Sequence, residues 1–168
     1  MATLGIDIGG TNLSLGLVEG GKIVQGIHCP SFRPNATLEE TLDYLSAQIR
    51  ILFLPGTEKI GVGVPSVVDV KKGIVYDTQN IPSWVEVPLK DCLEERFGVP
   101  VAVNNDANCF AMGVYGNYPA DAKPETLVVV TLGTGVGMGI VNEGKLFCGA
   151  NCGAVELGCL PFKDGILE

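Results

Sequence analysis

The first third of the chain alternates short apolar runs with glycine-centred breaks. Residues 3–8, 13–19 and 22–28 predict three strands, with Gly20-Gly21 as the hairpin turn between the last two. The period then lengthens. Leu38, Leu42, Leu45, Ile49 and Leu52 share one stripe of a helix predicted over residues 35–53. Thr37 is its candidate N-cap, Glu39 and Glu40 suit the positive end of the helix dipole, and Pro55-Gly56 stops it. Residues 59–64 read as a buried strand closed by Pro65, and residues 67–70 and 73–76 as a small hairpin around Lys71-Lys72. A short helix follows over residues 88–97, opened by Pro88 and ended by Gly98. A strand at 99–103 then runs almost directly into a helix at 106–115. This order of strands and crossover helices predicts an α/β fold, a mixed sheet flanked by helices.

Residues 117–125 contain two prolines and mixed charge, and they read as a linker between a lobe at residues 1–118 and a second one beginning at 119–168. Past the linker the strand pattern restarts, with strands at 126–132, 136–142 and 145–147. The restart copies the beginning of the chain. Asp7 falls over Thr131 and Gly9 over Gly133, each 124 residues on, whereas Lys22 falls over Lys145 at 123. A repeated strand–turn–strand unit predicts two structurally similar lobes.

Composition narrows the class. The chain has 168 residues, 46% hydrophobic and 18% charged, with 23 glycines, about twice the usual share. Disorder and collagen are both excluded. The net charge of −8, without any basic stripe, argues against a nucleic-acid backbone partner. The longest apolar tract, residues 127–141, is shorter than the roughly 20 residues a membrane-spanning helix needs. No basic start or small-residue cleavage site precedes the first strand, and the six cysteines form no C-x-x-C pair. A cytoplasmic protein with free thiols is the expectation, with no membrane partner.

Two glycine-rich turns could carry chemistry. In Asp7-Ile-Gly9-Gly10-Thr11-Asn12, successive N–H groups between two strands can form an anion nest. An acidic residue beside a phosphate makes sense if Mg²⁺ lies between them, held through water by Asp7; an Asx-turn in a plain hairpin is the alternative. Leu132-Gly133-Thr134-Gly135-Val136-Gly137 offers a second nest, with the Thr134 hydroxyl added. Strands on both sides exclude the dinucleotide-binding G-x-G-x-x-G arrangement. A third motif, Asn104-Asn105-Asp106, sits where an apolar strand ends and a helix starts. Asp106 suits both an N-cap and a base taking a proton from a substrate hydroxyl.

Five motifs in order, Asp7-Ile-Gly-Gly-Thr11, Gly61-Val-Gly-Val-Pro65, Asn105-Asp-Ala-Asn108, Leu132-Gly-Thr-Gly-Val-Gly137 and Glu156-Leu-Gly-Cys159, make the chain resemble the ROK family of sugar kinases and sugar-responsive repressors. The resemblance implies an actin-like ATPase (ribonuclease H-like) lobe, followed by the first strands of a similar one. It implies ATP-dependent phosphorylation of a hexose or N-acetylhexosamine hydroxyl, with ATP and Mg²⁺ as cofactors and a homo-oligomeric state. By the same resemblance Asp106 is the catalytic base and Asp7 holds Mg²⁺ through water. Gly9, Gly10, Thr11, Asn12, Gly133, Thr134 and Gly135 bind phosphates. Ser66, Thr78, Asn80, Asn105, Glu156 and Cys159 lie at the sugar. A non-catalytic sugar sensor of the same family is the alternative.

The chain departs from the family pattern at Cys159, which stands where the family usually has a histidine serving sugar and zinc. Cys148, Cys152 and Cys159 read as buried free thiols rather than a zinc set. His28, the single histidine, reads as a strand-end residue with no ligand role. Family members are considerably longer, so the isolated chain is expected to lack kinase activity. It is also expected to self-associate through apolar residues in 127–141.

Overall fold

A computed structural model describes residues 1–78, 80–133, 135–149, 156–163 and 165–166. The chain divides into two compact units, Met1–Asp106 and Ala107–Glu168. In the first, β1 (Ala2–Ile8), β2 (Asn12–Glu19) and β3 (Lys22–Pro30) form an antiparallel meander. Helix α1 (Leu38–Leu52) leads to β4 (Thr57–Val64), the small hairpin β5 (Val67–Asp69) and β6 (Ile74–Tyr76), helix α2 (Leu89–Phe97) and β7 (Val101–Asn105). The sheet order is β3-β2-β1-β4-β7, with β1, β4 and β7 parallel. Their C-terminal ends therefore share one edge of the sheet, where ligands of α/β folds collect.

Sequence chemistry explains the helices. Thr37 caps α1 reciprocally: its Oγ1 accepts from the Glu40 N–H at 3.2 Å, and the Glu40 carboxylate accepts from the Thr37 N–H at 2.8 Å. This capping box starts the helix at Leu38, three residues later than its apolar spacing suggests. Gly98 ends α2 in the left-handed conformation at φ 67°, the usual glycine stop. The α1 stripe of Leu42, Leu45, Ile49 and Leu52 is buried with Leu4, Ile6 and Ile8 of β1, Leu13 and Leu15 of β2, and Val62 and Val64 of β4. Each such side chain contributes about 1.5–3 kcal/mol by leaving water. Trp84 is fully buried in the same core, and its indole N–H donates to Thr41 Oγ1 at 2.8 Å.

Strand β7 is displaced from its predicted span of 99–103. Pro100 offers no N–H, but its carbonyl accepts from Ile60, and pairing with β4 then continues to Val64↔Asn105. Asn104 and Asn105 thus belong to the strand. A row of near-naked backbone crosses the sheet at mid-height: Gly26 pairs with Gly16, Gly16 with Gly5, Gly5 with Gly61, and Gly61 with Ala102.

Helix α3 (Asp106–Asn117) begins on the last residue of the first unit. It is followed by β8 (Thr126–Leu132), β9 (Val136–Asn142) and β10 (Lys145–Leu146), an antiparallel meander ordered β10-β9-β8. The repeat read from the sequence extends to the pairing register. Ala2↔Glu19, Asp7↔Ser14 and Ile8↔Leu13 become Thr126↔Asn142, Thr131↔Gly137 and Leu132↔Val136. The one-residue difference falls entirely in the first turn, four residues in one copy and three in the other. The second turns match as well, both central residues having positive φ: 55° and 78° at Gly20 and Gly21, 48° and 77° at Glu143 and Gly144.

Within the second unit, a Cβ at Gly137 would stand 2.9 Å from the Ala107 methyl, and one at Gly139 would stand 2.6 Å from that of Ala111. The alternating glycines of β9 therefore admit α3 against the strand, and the Thr131 hydroxyl, 2.5 Å from the Cβ position of Gly137, crowds that glycine further. A single 3₁₀ turn (Leu157–Cys159) and a pair of two-residue strands, β11 (Pro161–Phe162) and β12 (Gly165–Ile166), were not expected from sequence. They are too short to leave a periodic signal. No helix among the described residues is long and apolar enough to cross a membrane.

Candidate active site

The parallel register brings the predicted residues of the first unit to one edge. Asp7, Gly63 and Asn104 form a row across β1, β4 and β7, and Val64 and Asn105 form the next. Immediately beyond lie the Gly9–Asn12 turn, Ser66 and Asp106. Asp106 is the first residue of α3 and partly exposed. Its position at the helix start is compatible with both roles read from the sequence.

The Gly9–Asn12 turn is closed by a hydrogen bond from the Gly9 N–H to the Asn12 carbonyl at 2.9 Å. A Cβ on Gly9 would stand 2.9 Å from that carbonyl oxygen, so the turn's own closure requires glycine. Gly10 is held to glycine by a different neighbour. Its missing Cβ would lie 2.9 Å from the amide carbon and nitrogen of Asn80. Asn80 belongs to the 77–84 loop, whose backbone is tied by Thr78 N–H to the Trp84 carbonyl, Ile81 N–H to Thr78 and Trp84 N–H to Ile81. Buried Trp84 anchors this loop in the core, which is how α1 comes to position a side chain above the glycine turn.

Ser66 follows β4. Its N–H donates to Val64 at 2.9 Å and its hydroxyl donates to the Tyr76 carbonyl, tying the end of β4 to β6. The Asn105 amide donates to the Ser66 carbonyl at 3.3 Å, so Ser66 and Asn105 are direct neighbours. Thr78 is buried, and its hydroxyl makes no hydrogen bond among the described residues. An orphaned hydroxyl of this kind costs about 1–3 kcal/mol.

Asp7 keeps contact with solvent, yet partial burial of its carboxyl raises its pKa above the ordinary aspartate value. A cation beside it would relieve that penalty. One carboxylate next to a turn of N–H groups suits Mg²⁺ held through water. Among the described residues no cluster of three or more metal-ligating side chains exists.

The Gly133 N–H donates to the Gly135 carbonyl at 3.0 Å, and a Cβ on Gly133 would meet open space. Thr134 lies outside the described residues, as does Cys152. Glu156 is partly buried and precedes the 3₁₀ turn, its carbonyl accepting from the Cys159 N–H at 3.2 Å. Cys159 is exposed and Cys148 half-buried. The expectation of buried thiols at these two positions is corrected: the 3₁₀ turn buries Gly158 and turns Cys159 outward. His28 also differs from expectation. Strand β3 runs on to Pro30, and the His28 ring pairs its Nδ1 with Ser14 Oγ at 3.0 Å.

Sequence reasoning missed Ser31. Its hydroxyl donates to the Gly9 carbonyl at 2.7 Å and its N–H to the Thr11 carbonyl at 2.8 Å. Only the long-range pairing Asn12↔Pro30, which sets Ser31 opposite the turn, could have revealed it. A cavity of about 890 Å³ opens on the far side of Ser31, between residues 30–36 and α1, and apart from Ser31 it touches no residue of this edge.

The mixed sheet flanked by helices, with its first hairpin repeated in the second unit, is an actin-like ATPase fold. The chain belongs to the ROK family, whose model matches residues 3–165. It is 37% identical over 158 residues to a glucokinase of Thermotoga maritima, covering 92% of this chain and 49% of that protein. An N-acetyl-D-glucosamine kinase of Vibrio vulnificus is 40% identical over 100 residues, 60% of this chain and 32% of that protein. Among solved structures, a ROK family glucokinase of Streptomyces griseus in complex with glucose and AMPPNP superposes with a TM-score of 0.83 at 36% identity, over 95% of this chain and 50% of that one. The chain spans about half the length of these glucokinases.

Proposed function

We propose that this chain provides the sugar-binding and first phosphate-binding half of an ATP-dependent kinase acting on a hexose or N-acetylhexosamine. The observation that carries this reading is the shared edge of β1, β4 and β7, where the Gly9–Asn12 turn, Ser66 and Asn105-Asp106 lie together. The family membership and the glucose- and AMPPNP-bound relative support the same class of reaction.

Asp106 accepts the proton of the sugar hydroxyl, for which we favour the 6-position, as that oxygen attacks the γ-phosphoryl group of ATP and the bond from γ-phosphorus to the departing ADP breaks. Asn105 and Asn80 orient the sugar through its hydroxyls, with Ser66, Thr78, Glu156 and Cys159 completing the contacts. The N–H groups of Gly10, Thr11 and Asn12, with Thr134 and Gly135, hold the phosphates, while Gly9 and Gly133 shape the two turns through their N–H bonds to the Asn12 and Gly135 carbonyls. Asp7 would hold Mg²⁺ through water, and the ion would supply charge neutralisation to the phosphoryl oxygens.

The test is Asp106→Asn in the full kinase-length protein. Phosphorylation in a coupled ADP-release assay should fall by about 10²-fold or more, with sugar affinity by calorimetry largely retained. Retained turnover would remove Asp106 from the base role. An unaltered protein that binds sugar but never releases ADP would instead be a sensor.

A further inference from the structure

We infer that Ser31 is the positioning residue of the Gly9–Asn12 phosphate turn, holding its carbonyls away from the anion. This rests on the reading of that turn as a phosphate site. A turn presents N–H groups to an anion only if its carbonyl dipoles point elsewhere, because a carbonyl oxygen facing phosphate repels it. The turn has four carbonyls, and three of them are bound on the protein side. Gly9 O accepts from the Ser31 hydroxyl at 2.7 Å, Thr11 O from the Ser31 N–H at 2.8 Å, and Asn12 O from the Gly9 N–H at 2.9 Å. Two of the three donors thus belong to a single residue.

Ser31 is itself anchored. The Pro30–Ser31 peptide group donates through its N–H to Thr11, and its carbonyl accepts from the Tyr44 hydroxyl of α1 at 2.9 Å. The α1 helix is capped and packed into the core, so one peptide plane straps the turn to a well-anchored helix. The placement follows from register: β3 ends at Pro30 opposite Asn12, and the next residue reaches over the turn. A side chain without a hydroxyl at position 31 keeps the backbone bond to Thr11 and frees the Gly9 carbonyl to rotate.

The experiment titrates the 168-residue protein with tripolyphosphate in the presence of Mg²⁺, following backbone amides in ¹⁵N–¹H spectra. Ser31→Ala should weaken binding read at Gly9, Gly10, Thr11 and Asn12 by about tenfold, the loss of one well-made hydrogen bond. Ser31→Thr, which keeps the hydroxyl, should restore it, and the responses of Gly133 and Gly135 should be unchanged. Equal affinity in Ser31→Ala overturns the inference. So does an equal loss at both turns, or a failure of threonine to restore binding, since either means general damage to the fold. If the unaltered protein shows no shift at residues 9–12, the phosphate reading of the turn falls and the role of Ser31 falls with it.

Discussion

The side chain of Asn80 stands directly over the α-carbon of Gly10, occupying the space that any Cβ there would need. Two loops separated by seventy residues of sequence, one proposed for phosphate and one for sugar, are thereby in contact. Gly10→Ala should cost about 0.5–1.5 kcal/mol in urea denaturation, the range for pushing the exposed Asn80 side chain off its rotamer. The double variant Gly10→Ala with Asn80→Ala should recover most of that loss. Additive losses would show that the contact is not what requires the glycine.

Asp7 supplies a pH dependence with a defined sign. Burial disfavours its charged form, so its folded-state pKa lies above its unfolded one. The folded chain carries no penalty below the unfolded value of about 3.9, and stability declines as pH rises through the raised value. Asp7→Asn should therefore raise the Tm at neutral pH and lose that advantage near about pH 3.5. Melting curves at the two pH values decide, and an equal gain at both contradicts the assignment.

Trp84 and Thr41 share a buried hydrogen bond of 2.8 Å that seats the 77–84 loop on α1. Thr41→Val keeps the shape, removes the acceptor and leaves the indole N–H stranded. The expected loss is about 1–3 kcal/mol by chemical denaturation, with weaker sugar binding because Asn80 is carried by the same loop. Unchanged sugar affinity in the destabilised variant would separate the loop's anchoring from its function.

The two copies of the hairpin differ in what covers them. Leu4, Ile6 and Ile8 are 0%, 4% and 0% exposed, whereas Val128, Val130 and Leu132, each 124 residues later, are 54%, 47% and 81% exposed. Strand β8 is also an edge of its sheet and carries no charge, the arrangement that invites pairing between copies. The isolated chain should self-associate in sedimentation experiments, and Val130→Lys should shift it toward monomer. A monodisperse unaltered monomer at high concentration would refute this.

Local chemistry made much of the fold legible. The capping box at Thr37 and Glu40, the Gly98 stop and the restarted hairpin are each written within a few residues. The end of β7 is not legible locally, because its pairing partner on β4, forty residues away, decides it. The contact of Gly137 with α3 is not legible, because a glycine that admits a helix and one that admits a ligand look alike in sequence. Ser31 was invisible for the same reason as β7: its contacts depend on register across the sheet. The candidate residues themselves came from motif order, and the structure adds which of those in the first unit are neighbours.

The row from Gly26 through Gly16, Gly5 and Gly61 to Ala102 has a mechanical consequence. Side-chain pairs across strands are what stiffen a sheet, and along this line four of the five positions have none. Along this line the strands are joined by the backbone ladder with almost no side-chain pairs added to it. Bending along it would tilt the strand ends carrying Asp7, Val64 and Asn105 together, keeping their spacing while changing the direction in which they face.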